Sequence, residues 1–355
     1  MSFPTAQLIG AGLSSELQRH AAKIRRFPFL ILNRTSSRMR NLHLDTDIGG
    51  DIDDLCALAM VLNWPESELV AVTTVSDSGG KRAGYVRYVL EIAGRRDVSV
   101  AAGADISLGC YHHWQPGFHP DESAYWPEPV PPAPGPAADA IDLLERSIQA
   151  NATIAAVGPY TNLAILERRS PGTLATARLV LMGGFVFPPR EGFPQWGCES
   201  DYNVQVDPES ALLVLEAANP LLVSLSVTVE TALRRSWLAT LREAGTMGQL
   251  VARQCEAFAV EEAMESRFGR TCAGLPDDII NFLHDPLACA LALGWNDGVE
   301  IQEVPLKSEM RNGYLCHTLD ARGKPTRVVT HVDGAKFSEF WLRTICAPRS
   351  SLSRK

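Results

Sequence analysis

Three things are scarce in this chain of 355 residues, and each absence excludes a class of protein. No window approaches the ~20 apolar residues of a membrane span, so no membrane role is expected. No CxxC pair occurs among the eight cysteines, Cys56, Cys110, Cys198, Cys255, Cys272, Cys289, Cys316 and Cys346. That speaks against a disulfide framework or a zinc site, and for reduced thiols in the cytoplasm. Positive charge is short as well. The 33 Lys and Arg stand against 41 Asp and Glu, and the net charge of −8 argues against nucleic acid or an anionic membrane as partner.

Acids are scarce in one place only. Residues 1–40 hold Arg19, Lys23, Arg25, Arg26, Arg34, Arg38 and Arg40 but a single acid, Glu16. An Arg-rich, acid-poor leader suits a transit peptide, a flexible extension, or a chain whose natural start is Met39. The expected organisation is an extension over 1–40, one domain over 41–347 and a tail over 348–355.

What is present is ordinary in bulk. With 46% hydrophobic and 21% charged residues, the composition is that of a soluble globular protein. Short apolar runs alternate with helical patterns. Strands are expected at 42–47, 69–75, 98–101, 153–157, 179–182 and 221–227, and helices at 53–63, 82–93, 137–150, 161–168 and 208–217. Asp207 and Pro208 supply a cap and a first-turn proline for the last of these. Beyond 227 come helices at 237–266 and 285–293, strands near 299–306 and 326–331, and a helix at 334–346. The pattern predicts an α/β fold, a single Rossmann-like domain with a mostly parallel central sheet flanked by helices.

One stretch breaks the alternation. Residues 116–136 contain eight prolines, which exclude helix and central strand. The span 105–136, with Cys110, Tyr111, His112, His113 and Trp114, is expected to be a loop over the functional site.

The densest chemistry lies between the first strand and the first helix. Asp45-Thr46-Asp47-Ile48-Gly49-Gly50-Asp51-Ile52-Asp53-Asp54 places five carboxylates in ten residues. Each ionised neighbour raises the others' pKa values, and a divalent cation removes the conflict. Ca²⁺ takes roughly 6–8 oxygen ligands and accepts carboxylates readily. Helix capping accounts for one or two of these acids, not five. In parallel α/β sheets ligands gather at the carboxyl ends of strands. Asp45 and Asp47, the 76–78 segment, Val157-Gly158 and Gly183-Gly184 all stand at such ends.

The string DTDIGGDIDD resembles the signature of the inosine–uridine-preferring nucleoside hydrolase family, usually D-x-D-x-G-x-D-D, with two extra residues before its final pair. Further segments match in family order. They are 71–75 (AVTTV), 157–164 (VGPYTNLA), 180–184 (VLMGG), 201–211 (DYNVQVDPESA) and His284-Asp285-Pro286.

The resemblance implies a Ca²⁺-dependent N-ribohydrolase acting on a small-molecule nucleoside, in which an Asp base activates metal-bound water. Asp47, Asp54 and Asp285 would bind the metal through carboxylates and Val157 through its carbonyl. Asp53 would be the general base, with Asp51 as a rival, and Asp45 would buttress the loop. Asp201, where the family more often has Glu, and Asn203 would hold the ribose. Ser78 takes the place of a family Asn, and its shorter side chain leaves room for a weakened relative that binds without turnover. His284 would help the base depart, and Trp196, His112, His113 and Trp114 are candidates for stacking on it or for loop packing. The resemblance also carries a homodimer or homotetramer as an expectation.

The chemistry is consistent with those residue types. Cleavage of an N-glycosidic bond builds positive charge on the sugar, which nearby carboxylates stabilise. A carboxylate that removes a proton from water contributes about 10²–10⁴-fold. Two other uses of the acids fit less well. An aspartyl-phosphate pair wants D-x-D-G-T, and Gly50 is not followed by Thr. An EF-hand needs three alternating acids, a Gly and a closing Glu, which the spacing from Asp47 does not supply.

Overall fold

The computed structural model describes residues 39–105 and 121–348. Most of the 1–40 segment, Cys110, His112, His113, Trp114 and nearly all of the tail lie outside the described residues.

Among the described residues, eleven strands are β1 (Arg40–Thr46), β2 (Ser67–Thr74), β3 (Ser99–Ala102), β4 (Thr153–Ala156), β5 (Arg178–Met182), β6 (Leu221–Val223), β7 (Leu233–Arg234), β8 (Ile279–Asn281), β9 (Val299–Arg311), β10 (Tyr314–Leu319) and β11 (Lys324–Val332). Nine form one sheet in the order β10-β9-β11-β6-β5-β4-β1-β2-β3, and β7 pairs with β8. Within the nine-stranded sheet pairing is parallel from β3 through β11 and antiparallel at β11–β9 and β9–β10, and β7–β8 is antiparallel as well.

Side chains that alternate along the strands feed two separate apolar layers, as the period of two requires. Val180 and Met182 of β5 join one layer, while Leu179 and Leu181 join the other. The first layer packs on the helices Asp53–Asn63, Lys81–Ile92, His284–Ala292 and Gly334–Cys346. The second packs on Ala137–Gln149, Thr161–Arg169 and Pro208–Ala217.

The chain runs outward from β1 to β2 and β3, then returns to β4 on the other side of β1. That reversal leaves a crevice beyond the carboxyl ends of β1 and β4, the usual ligand position in such sheets. Asp45 is the next-to-last residue of β1, Asp47 follows β1 and Val157 follows β4.

Several expectations need correction. The apolar run 221–227 is strand only to Val223, and Leu225–Thr228 is a helical turn. Apolar content alone does not separate a short buried strand from a helical turn. The strand near 299–306 extends to Arg311 and folds back as β10 through Asn312-Gly313. Both of these residues have positive φ, as a tight hairpin turn demands. The helix at 237–266 is cut where Gly245 takes φ 81°.

Candidate metal and substrate site

The acid-rich loop begins where β1 ends and stops where the Asp53–Asn63 helix begins. Asp53 and Asp54 occupy that helix's first turn, where its dipole favours negative charge. Asp285 occupies the first turn of the His284–Ala292 helix. The two helices pack together and bring these acids into one place. Oxygens of Asp53, Asp54 and Asp285 all lie within 4.8 Å of one another, and all three residues are buried. The Asp285 N–H donates to Asp53 Oδ2 at 3.2 Å. Thr46 Oγ1 donates to Asp54 Oδ1.

Asp47 lines the same cavity but is not part of that trio. The Val157 carbonyl faces it too, and it accepts from Asn203 Nδ2 at 2.6 Å. Asp45 is fully buried below, with Oδ1 accepting from Thr73 Oγ1 at 2.5 Å and Asn162 Nδ2 at 2.8 Å. Its other oxygen has no partner.

Electrostatics at this cluster are unfavourable in the absence of a cation. Burial, then the Asp51 and Asp54 charges, push Asp53 well above the usual carboxylate range. Burial and the Asp47 charge do the same to Asp54, and burial with Asp53 and Asp54 does so to Asp285. Burial also raises Asp45 to about 7. Several hard oxygen donors, buried and mutually repelling, fit a divalent ion such as Ca²⁺.

A cavity of about 520 Å³ opens above the acids. One wall carries Asp201 and Asn203. Asp201 caps the short Tyr202–Gln205 helix, accepting from Gly184 N at 2.6 Å and Val204 N at 3.2 Å. Burial raises its pKa to about 6. Aromatic rings also line the cavity. Trp196 meets Phe268 and Phe282 edge-on at 5.2 and 5.5 Å between ring centres. Trp196 is therefore brought to the cavity.

His284 also lines the cavity, with Nδ1 in hydrogen-bond contact with Thr228 Oγ1 at 2.6 Å. Burial lowers its pKa to about 3, so the ring is neutral near pH 7 and better suited to hydrogen bonding than to proton donation. Asp51 lines the wall as well. Its Oδ1 accepts from the Ile52 N–H and from Asn281 Nδ2, which tie it down although the residue is exposed.

Two expectations differ from the structure. Ser78 is exposed and does not line the cavity. Its neighbour Asp77 is buried instead, and accepts from the N–H groups of Arg82 and Ala83 at 2.8 and 3.0 Å. The turn thus spends its polar side chain on capping the next helix and leaves Ser78 outside. The described part of the proline-rich stretch, 121–136, does not line the cavity either. It runs along the Lys81–Ile92 helix, with Ala133 N donating to Gly80 O at 2.8 Å.

Cavity residues not picked out from the sequence include Phe258, Glu261, Glu262, Arg267, Phe268, Phe282 and Arg82. Only Phe282, two positions before the His284-Asp285-Pro286 motif, carried a positional hint. Phe258, Glu261, Glu262, Arg267 and Phe268 are set by how the 245–270 region folds back over the site, and Arg82 by the Lys81–Ile92 helix.

Comparison with known proteins agrees with this architecture. Residues 42–339 match the family model described as inosine-uridine preferring nucleoside hydrolase. The chain is 28% identical over 254 residues to a pyrimidine-specific ribonucleoside hydrolase of Citrobacter koseri, covering 68% of this chain and 76% of that one. A plant nucleoside hydrolase superposes with a TM-score of 0.71 at 20% identity, covering 87% of this chain and all of that one. A purine-preferring ribonucleoside hydrolase from Gardnerella vaginalis does so with 0.68 at 22% identity, over 86% and 98%. At those identities the structural likeness speaks for the fold alone.

Proposed function

Because this chain belongs to the inosine-uridine preferring nucleoside hydrolase family, we propose that it hydrolyses the N-glycosidic bond of ribonucleosides with the help of Ca²⁺. The observation behind the metal is the meeting of Asp53, Asp54 and Asp285, drawn from opposite ends of the domain. Asp54, Asp285, Asp47 and the Val157 carbonyl are the proposed ligands. Bound there, Ca²⁺ supplies a fixed positive charge that orients the ribose hydroxyls and acidifies water.

The remaining steps belong to the protein's own groups. Asp53, whose carboxylate reaches the cavity, takes the proton from the attacking water. Asp201 and Asn203, which line the same cavity, hold the ribose. The surrounding carboxylates stabilise positive charge on the sugar as the bond breaks. Trp196 and its aromatic neighbours receive the flat base, and neutral His284 hydrogen-bonds to it as it leaves.

The deciding experiment is a turnover assay on uridine, cytidine, inosine, adenosine and guanosine, with Ca²⁺ and with chelator. Release of free base and ribose that chelator abolishes is the expected result. Tight Ca²⁺ binding without hydrolysis of any of the five would overturn it.

A further inference from the structure

Arg82 is the unusual group near the site. It is 0% exposed, and it lies on the Lys81–Ile92 helix within the cavity wall that holds Asp47. Three of the Arg82 side-chain hydrogen bonds go to backbone carbonyls of two loops. Nε donates to Ser76 O at 2.9 Å, in the turn after β2. Nη1 donates to the carbonyls of Asp47 and Ile48, the latter at 2.9 Å, in the acid-rich loop after β1.

The loops are shaped to meet it. Ser76 takes φ 52°, a left-handed conformation that a non-glycine residue rarely adopts. Gly49 takes φ 111°, and a Cβ there would stand 2.6 Å from Cε2 of Tyr85, one helical turn beyond Arg82. The Lys81–Ile92 helix thus presents a seat, Arg82 and Tyr85, on which residues 47–49 rest. On the far side of the loop, Asn281 holds Asp51.

We propose that Arg82 is a positioning residue for the metal. By gripping the carbonyls of Asp47 and Ile48 it fixes where the Asp47 carboxylate stands relative to Asp54 and Asp285. The inference rests on the calcium reading of this site. Charge and geometry make opposite predictions here, and that makes the idea testable. As a charge alone, Arg82 repels a divalent ion, so its removal would tighten binding. As a geometric anchor, its removal loosens a ligand, and residues that orient ligands typically govern about 10–100-fold in metal affinity.

The test is calorimetric titration of Ca²⁺ alone into chelator-treated full-length protein, for wild type, Arg82→Met and Arg82→Lys. Arg82→Met is expected to bind about 10–100-fold more weakly. Arg82→Lys keeps the charge but lacks the planar fork that reaches two loops, and is expected to fall between. Added guanidinium at millimolar concentration should recover part of the Arg82→Met affinity and leave wild type unchanged. Arg82→Met binding as tightly as wild type, or more tightly, would sink the proposal. Should Arg82→Met not fold, Arg82→Lys with wild-type affinity has the same consequence. If wild type itself does not bind Ca²⁺, the calcium reading fails first, and that outcome is distinct from the others.

Discussion

Asp285 lies 232 positions from Asp53, yet its backbone N–H reaches that carboxylate. Two substitutions separate the roles at this contact. Asp53→Asn keeps an oxygen in place but cannot take a proton. It should retain Ca²⁺ binding while kcat falls about 10²–10⁴-fold. Asp285→Ala should lose both metal and turnover. Full activity in Asp53→Asn, with Asp51→Asn inactive, would mean that the base is Asp51. His317 adds to the acid limb of stability, alongside the more strongly depressed His43 and His284. His317 is buried, its Nε2 has no partner, and burial lowers its pKa from 6.5 to about 4. A depressed histidine contributes stability above pH 6.5, and the contribution is lost as the pH falls to about 4, amounting to about 3 kcal/mol. His317→Leu should therefore show a shallower loss of stability between pH 6.5 and 4 than wild type. Chemical denaturation at several pH values measures this, and equal slopes would refute it.

At the scale of elements, the acid-rich loop works because its neighbours fit it. Gly49 is the tightest point, since its φ of 111° and the close approach of Tyr85 both exclude a side chain. Gly49→Ala should destabilise the protein by about 1–3 kcal/mol and weaken Ca²⁺ binding. Urea denaturation with calorimetry would check both, and unchanged stability would show that the loop has room to move. The elements that were legible share one property, a clear local period. The Asp53–Asn63 and Gly334–Cys346 helices and the parallel strands β1, β2, β4 and β5 stand within a few residues of where the pattern puts them. The Asn312-Gly313 hairpin carried a local signal too, since that dipeptide favours positive φ at both positions. The β7–β8 ribbon carried none: it has two and three residues and depends on partners 45 or more positions apart.

For the whole molecule, the proposed ion at the acid cluster would couple binding to folding. Buried carboxylates with raised pKa values oppose the native state unless a cation joins them. An ion that binds only the folded chain stabilises it by about 2.7 kcal/mol at a hundred times its dissociation constant. The melting temperature should therefore rise with Ca²⁺ and fall on chelation, as differential scanning calorimetry would measure. Identical curves in both conditions would remove the ion from the picture. Among the described residues, no helix is long and apolar enough to cross a membrane.

The sequence by itself determined the strand–helix alternation, the mostly parallel sheet and the family, because periodicity and short motifs are local properties of the chain. It also marked Asp47, Asp54, Val157, Asp201, Asn203 and Asp285, through motifs that sit at strand ends. Only the tertiary structure decided that Asp53 joins Asp54 and Asp285, that Ser78 faces solvent, and that Arg82, Phe268 and Phe282 reach the cavity. Those outcomes depend on how distant helices pack against one another, and a side chain's direction across such a contact leaves no trace in the spacing of its neighbours.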